Sequence, residues 1–294
     1  MDLNLLPCGH GDKYSIKNDM TQPSWVLTQG NGPIVAVALH DGHYVRPEVA
    51  ALLAVSEADR WREEDPFTAT WTRCGDTQIV VKRSRFEFDL NRRRDKAVYI
   101  KPEDAWGLQV WHSHPSEEIV ARSLAEHDAF YATIERVFAD LERRFGCFVV
   151  FELHTYNHRR LGIEALPADS RYNPEINLGT GTLDRDRWSP VIDSFLWDLQ
   201  NYDFLGRKLD VRENIKFRGG YFPYWVHRKF PHSACVLSIE VKKFFMDEWT
   251  NQPDLEQLEA ISCALESTVP GILEGMSLVP RLSLGTSHPH SHSQ

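Results

Sequence analysis

CFVVFELH, residues 147–154, is an almost continuous apolar run that ends on a histidine. A run of this length, rich in Val and Phe, predicts a strand that is buried on both faces. Two further runs have the same form, IVAVALH at 34–40 and ACVLSIE at 234–240. Strands of this kind lie at the centre of a sheet that helices cover on both sides. The three runs therefore indicate an α/β fold.

Amphipathic segments between these runs predict the covering helices. The clearest spans 116–145, where Phe130, Ile134 and Leu141 recur at helical spacing and Gly146 ends the pattern. Weaker patterns predict helices at 47–58, 184–201 and 253–268 and a further strand at 77–84. The alternation of strands and helices predicts a mixed, mostly parallel sheet flanked by helices.

The composition is that of an ordinary globular enzyme. The chain has 294 residues, 42% of them hydrophobic, and a formal net charge of -9. This negative charge argues against nucleic acid or an anionic membrane as a partner. No apolar run approaches the roughly 18 residues of a membrane span, and the N-terminus has no signal-peptide pattern. Five scattered cysteines without a CxxC pair indicate reduced thiols and a cytoplasmic protein.

Each of the three buried runs closes on a residue that can bind a metal or move a proton. These residues are His40, His154 and Glu240. Open α/β sheets bind ligands beyond the carboxyl ends of their strands, so the three side chains are expected to face one site. Two histidines from separate strands suit a catalytic zinc ion, which usually takes three protein ligands and one water.

The third ligand is left open by the sequence. His43 lies three residues after His40, and Asp65 lies in the turn-like segment REEDPFT, with Glu64 and Asp59 as nearby rivals. The histidines of HSHP (112–115) and of the C-terminal tail are weaker candidates, since a loop or a flexible tail does not hold a ligand in place.

Arginines follow the strand predicted at 77–84. The stretch RSRFEFDLNRRR (83–94) contains Arg85 and Arg92, with Asn91 beside Arg92. A guanidinium group matches a carboxylate through two parallel hydrogen bonds, so a substrate with a free carboxylate would fit this stretch. A basic surface turn paired with neighbouring acids is the alternative.

Several of these stretches together resemble the N-formylglutamate amidohydrolase family, which includes N-formylglutamate deformylase. The resemblance spans about residues 34–248 and rests on ALHDGHYVRPE, SRFEFDLNR, FELHTYN, NPEINLGTGT, FRGG and SIEVKKFFMDE. The family is similar in fold to zinc carboxypeptidases and aspartoacylase. The resemblance therefore implies one catalytic domain, taken as 1–283, followed by a disordered His- and Ser-rich tail at 284–294.

The resemblance also implies a metal-dependent hydrolase that acts on a small N-acyl amino acid. By position, His40, His154 and, as the best match for the acidic ligand, Asp65 would bind one divalent metal, most simply zinc. Glu240 would be the general base, and Arg85 would polarise the scissile carbonyl.

The remaining matches concern the substrate. Asn91 and Arg92 correspond to the pair that binds the substrate carboxylate, and His127 corresponds to a histidine common in the family with either a structural or a catalytic role. Two rival readings are a carboxypeptidase or deacylase acting on another N-acyl substrate, and a non-catalytic relative that binds a small carboxylate.

Overall fold

The computed structural model describes residues 23–280, which form a seven-stranded sheet with helices on both faces. The predicted tail at 284–294 lies outside the described residues. The strands are β1 (Trp25–Thr28), β2 (Ile34–Ala38), β3 (Thr77–Val81), β4 (Phe148–Tyr156), β5 (Ile176–Gly179), β6 (Val211–Glu213) and β7 (Ala234–Lys242).

The sheet is mixed and mostly parallel, as the sequence predicts. The strand order is β1-β3-β2-β4-β7-β5-β6. The four central strands β3, β2, β4 and β7 run parallel to one another, whereas β1 and β5 join them antiparallel. Strands β2, β4 and β7 are the three buried runs of the sequence, so their carboxyl ends lie side by side at one edge.

The helices begin and end as follows: α1 (Pro47–Ala50), α2 (Glu57–Glu63), α3 (Thr68–Trp71), α4 (Glu117–Phe145), α5 (Ser189–Asn201), α6 (Tyr221–Lys229), α7 (Leu255–Ser267) and α8 (Val269–Leu278). Short 3₁₀ turns lie between several of them, including Lys243–Phe245 directly after β7.

Strand β4 separates two hydrophobic layers. Val149, Phe151 and Leu153 pack with residues of α5, α7 and α8. Phe148 and Val150, on the opposite face, pack with residues of α4 and α6. Because side chains alternate across a strand, a near-continuous apolar run is what two covered faces require.

Helix α4 confirms the strongest helix prediction. The Ser116 side chain accepts a hydrogen bond from the Ile119 amide at the first turn, and Gly146 follows the last turn with a φ of 78°. A residue other than glycine is disfavoured at such a φ, which explains why the helix ends there.

The helix predicted at 47–58 is wrong as a single element. The chain leaves α1 after Ala50, and the Ala54 amide donates to the carbonyl of Val110, 2.8 Å away. Helix α2 then starts anew with Ser56 as its capping residue. A long-range backbone contact thus interrupts a pattern that local spacing would continue. Helix α5 also begins later than expected, with Pro190 in its first turn.

Within residues 23–280, no helix combines the length and apolar composition needed to cross a bilayer.

The core position of β4 gives a stability prediction. Phe151 is fully buried and meets the ring of Phe195 edge-on, with 5.8 Å between the ring centroids. Phe151→Ala should lower the free energy of unfolding by about 3–5 kcal/mol, the usual cost of removing a buried phenyl ring. Urea unfolding measures this change. Trp197→Ala is the control, because Trp197 lies on α5 with 67% of its surface exposed. Equal losses in the two variants would contradict the assignment of the core.

Candidate active site

Two histidines and an aspartate meet at the carboxyl ends of the central strands. His40 follows β2, His154 lies near the end of β4, and Asp65 lies two residues after α2. The Asp65 Oδ2 atom is 2.9 Å from Nδ1 of His154 and 3.2 Å from Nδ1 of His40. One ligand atom of each residue lies within 4.8 Å of those of the other two, and all three residues are buried. We call His40, Asp65 and His154 the ligand cluster.

The geometry separates Asp65 from the rival third ligands. Glu64 turns away from the ligand cluster and contacts Nδ1 of His43 and the hydroxyl of Ser84. Asp59 interacts with Ser56 at the start of α2. The histidines of HSHP (112–115) are exposed ahead of α4. Of the acids in this region that the sequence left open, Asp65 is the one that joins both histidines.

Each histidine of the ligand cluster has a second carboxylate behind it. Nε2 of His40 is hydrogen-bonded to Oδ1 of Asp89 over 2.7 Å, whereas Nε2 of His154 lies 3.1 Å from Oε1 of Glu152 as a charge contact without hydrogen-bond geometry. Both imidazoles therefore direct Nδ1 toward Asp65. Histidine ligands of metals commonly contact a carboxylate through the other ring nitrogen, which orients the ring. The donor set and its support fit a divalent cation.

Electrostatics at the ligand cluster favour positive charge between these carboxylates. Burial opposes the charge of Asp65, but hydrogen bonds with His154 and His40 hold the pKa of this carboxyl well below its usual value. Burial likewise opposes protonation of His154, yet the charge of Glu152 and the contact with Asp65 raise the pKa of this imidazole. The carboxylates around the ligand cluster would therefore stabilise a cation bound between the two histidines and Asp65.

Glu240 faces the same site from the neighbouring strand. It stands opposite His154 in the register of β4 and β7 and on the same side of the sheet. Burial raises the pKa of Glu240 to about 8, and the charges of Asp65 and Glu152 act in the same direction. Such a carboxyl can exchange a proton near neutral pH, which suits a general acid or base.

A cavity of about 120 Å³ adjoins the ligand cluster and Glu240. Four cationic side chains are among its lining residues, namely Arg62, Arg85, Arg160 and Lys243. Burial lowers the pKa of the Lys243 ammonium group to about 8. Three carboxylates, Glu63, Asp65 and Glu240, also line the cavity, and Glu63 pairs with Arg160. The lining therefore carries charges of both signs, and the small volume favours a compact polar ligand.

Arg85 is held rigidly at this cavity. Its guanidinium donates to Oδ2 of Asp89 over 2.8 Å, to the Tyr99 hydroxyl over 3.0 Å and to the Glu63 carbonyl over 3.2 Å. It also lies 4.8 Å from the centre of the Trp106 ring. Through Asp89, Arg85 is connected to His40, so a fixed positive charge stands beside the ligand cluster.

Asn91 lines the cavity, but Arg92 is not among its lining residues. The Asn91 side chain accepts a hydrogen bond from the Phe222 amide, and its Nδ2 atom is 3.4 Å from Nε2 of His154. An added Cβ at Gly220 would lie 2.3 Å from Oδ1 of Asn91, so the close approach requires glycine. Arg92 instead donates to the carbonyl of Asp104.

His127 occupies a structural position in α4. It is buried and its Nε2 atom is 3.1 Å from the backbone carbonyl of Arg92. It therefore helps to hold the segment that carries Asn91 and Arg92, and it is not among the residues that line the cavity.

Sequence reasoning missed Asp89 and Glu152. Glu152 precedes His154 by two residues, so the alternation of a strand places both side chains on the same face. Asp89 precedes Asn91 by two residues, in the same DLNR motif. Both acids lie two residues before a predicted site residue, so the sequence offered a signal for them. The local sequence does not show that either carboxylate contacts a histidine.

In this mixed α/β sheet, the ends of the central strands bring His40, His154 and Glu240 to one small cavity, and the connection after α2 adds Asp65. This arrangement defines a candidate hydrolase site. A family model for N-formylglutamate amidohydrolase matches residues 32–246. The chain belongs to the N-formylglutamate amidohydrolase family, whose members are hydrolases of C–N bonds. The comparison with curated proteins gives no match.

Two solved structures share this fold at low sequence identity. N-formylglutamate amidohydrolase from Ralstonia eutropha JMP134 is 17% identical with a TM-score of 0.67, and the similarity covers 86% of this chain and 97% of that one. The gene product Atu2144 from Agrobacterium tumefaciens is 17% identical with a TM-score of 0.62, covering 87% of this chain and 97% of the other. A metallo-carboxypeptidase from Burkholderia cenocepacia matches with 13% identity and a TM-score of 0.36, covering 87% of this chain and 66% of that one.

The contact between Asp89 and His40 can be tested directly if the ligand cluster holds Zn²⁺, as its donor set allows. Asp89→Asn keeps the shape of the side chain but removes the charge that faces Nε2 of His40, so affinity for Zn²⁺ should then fall by about 10- to 100-fold. Isothermal titration of the metal-free protein with Zn²⁺ measures the change. Asp193→Asn is the control, because Asp193 is an exposed carboxylate paired with Arg185. If both variants bind Zn²⁺ as the wild type does, Asp89 does not support the ligand.

Proposed function

We propose that this protein is a metal-dependent amidohydrolase that cleaves the N-formyl or N-acyl amide of a small, carboxylate-bearing amino acid similar to N-formylglutamate. The observation that carries the proposal is the convergence of His40, Asp65, His154 and Glu240 on one cavity inside the family match.

The proposed cofactor is one divalent metal, most simply zinc. Two imidazole nitrogens and one carboxylate oxygen form the donor set of many catalytic zinc sites, in which a fourth position remains for water. His40, Asp65 and His154 would hold the ion. A zinc ion at such a site lowers the pKa of a bound water toward about 7.

Glu240 is proposed as the group that moves the proton. Its carboxylate accepts a proton from the attacking water and delivers it to the nitrogen of the leaving amine. A carboxyl group with a raised pKa serves both steps, because it holds the proton firmly enough to carry it and releases it near neutral pH. Its position opposite His154 supports this role.

Arg85 is proposed to stabilise the negative charge that develops on the carbonyl oxygen. Its guanidinium is fixed by Asp89, Tyr99 and a backbone carbonyl, so little reorganisation would accompany the reaction. Asn91 and a cationic side chain of the cavity would bind the substrate carboxylate, which holds the amide in place for attack. The role of Arg92 in binding this carboxylate stays a prediction.

Metal analysis and a formate-release screen together test the function. The purified chain should contain about one equivalent of a divalent metal per site, and a chelator should abolish activity that added Zn²⁺ restores. N-formyl amino acids with an acidic side chain should release formate faster than neutral ones. Release of a free C-terminal residue from peptides would favour the carboxypeptidase alternative. Failure to bind metal, or to cleave any N-acyl amino acid, would refute the proposal.

The role of Glu240 gives a separate prediction. Glu240→Gln removes the proton acceptor but leaves the ligand cluster intact, so kcat should fall by about 10²- to 10⁴-fold while Zn²⁺ remains bound. Steady-state kinetics and metal content are measured on the same preparation. Glu135→Gln is the control, since Glu135 is an exposed partner of Lys229 far along α4. Near-normal turnover of Glu240→Gln would remove Glu240 from the proton-transfer role.

A further inference from the structure

Asp65 differs from the two histidines of the ligand cluster in the kind of segment that carries it. His154 lies in β4 and His40 comes two residues after β2, so the sheet fixes both. Asp65 lies in the connection after α2, a seven-residue helix. Other contacts must therefore hold Asp65 at the strand ends.

Three contacts tie this connection to β2, β4 and β7. The Asp65 amide donates to the carbonyl of His40 over 2.9 Å, next to β2. The hydroxyl of Thr155 in β4 donates to Oδ1 of Asp65 over 2.8 Å. The third contact comes from Lys243, at the end of β7, which donates to the carbonyl of Glu64 over 2.8 Å.

Lys243 also donates a hydrogen bond to a backbone carbonyl of α2. Its ammonium group donates to the carbonyl of Arg62 over 2.6 Å as well as to that of Glu64. These carbonyls lie at the C-terminal end of α2. The last carbonyls of a helix have no amide partner within the helix, and a positive charge beside them is favourable. Lys243 is only 1% exposed, so few water molecules can replace it.

We propose that Lys243 is a positioning residue that fixes the connection between α2 and α3 and thereby holds Asp65 in the ligand cluster. Lys243 follows Glu240 by three residues, so the short segment that carries the proposed proton acceptor also secures the acidic ligand. The consequence for metal binding rests on the proposed function, whereas the positioning of Asp65 does not.

A direct contact with substrate is the alternative role for Lys243, because its side chain is among the lining residues of the cavity. The two roles differ in what they change. Loss of a substrate contact raises KM and leaves the protein without substrate unaltered. Loss of a positioning contact loosens residues 62–65 in the protein without substrate or metal.

Hydrogen–deuterium exchange of the metal-free protein separates these roles. In Lys243→Met, amides of residues 60–67 should exchange about tenfold faster or more, the effect expected when hydrogen bonds from a charged donor are lost. Lys243→Arg, which keeps a charged donor, should stay close to the wild type. Lys242→Met is the matched control, because the neighbouring Lys242 donates to the carbonyl of Asn173 instead. Thermal unfolding checks that all variants are folded.

Zn²⁺ titration of the same variants gives the second readout. Lys243→Met should bind Zn²⁺ about 10- to 100-fold more weakly than Lys243→Arg, as when support for a ligand is removed. Unchanged exchange at residues 60–67 in Lys243→Met overturns the inference, whatever the metal affinity. A wild-type protein that binds no metal, combined with faster exchange in Lys243→Met, refutes the proposed function and leaves the positioning role supported.

Discussion

The hydrogen bonds of the Asp65 carboxylate to both imidazoles are the constraint on which the site depends. They require His40 and His154 to stand next to each other with the same ring nitrogen facing inward. Adjacent parallel strands provide this arrangement, because β2 and β4 are neighbours and end at the same edge of the sheet. An antiparallel pairing of these two strands would place the histidines at opposite edges.

The buried charges around this contact explain why the site extends well beyond the ligand cluster. A buried carboxylate is costly unless it is paired and hydrogen-bonded. Asp89 is fully buried, and it contacts His40, Arg85, Tyr99 and its own DLNR segment through the Asn91 amide. Each of these contacts offsets part of the cost of burial, and together they immobilise Arg85. The same interactions that make burial tolerable thus also preorganise the cavity.

The parts of this molecule that the sequence predicted well are those governed by local pattern. The three apolar runs became β2, β4 and β7, and the capping residues of α4 mark its ends correctly. The break between α1 and α2 was missed because it depends on a backbone contact between Ala54 and Val110, far apart in the chain. The choice among the acids near α2 was open for a similar reason, since Glu64 and Asp65 are adjacent carboxylates and only the folded chain decides which of them faces the two histidines.

The position of the site along the strands follows from a change from apolar to polar residues on one face of the sheet. On one face of β4, Phe148 and Val150 pack under α4 and α6, whereas Glu152 and His154, further along the same face, are polar. Strand β7 shows the same change from apolar to polar residues, because Ala234 and Val236 are followed on the same face by Ser238 and Glu240. The Ser238 hydroxyl donates to the Glu152 carboxylate on β4 over 2.5 Å. The change from apolar to polar residues falls at paired positions of β4 and β7, so it belongs to the sheet face and not to one strand. Buried polar side chains need polar partners. Ser238 and His154 both find one in the Glu152 carboxylate, so the two strands supply each other's partners at the level where the site begins.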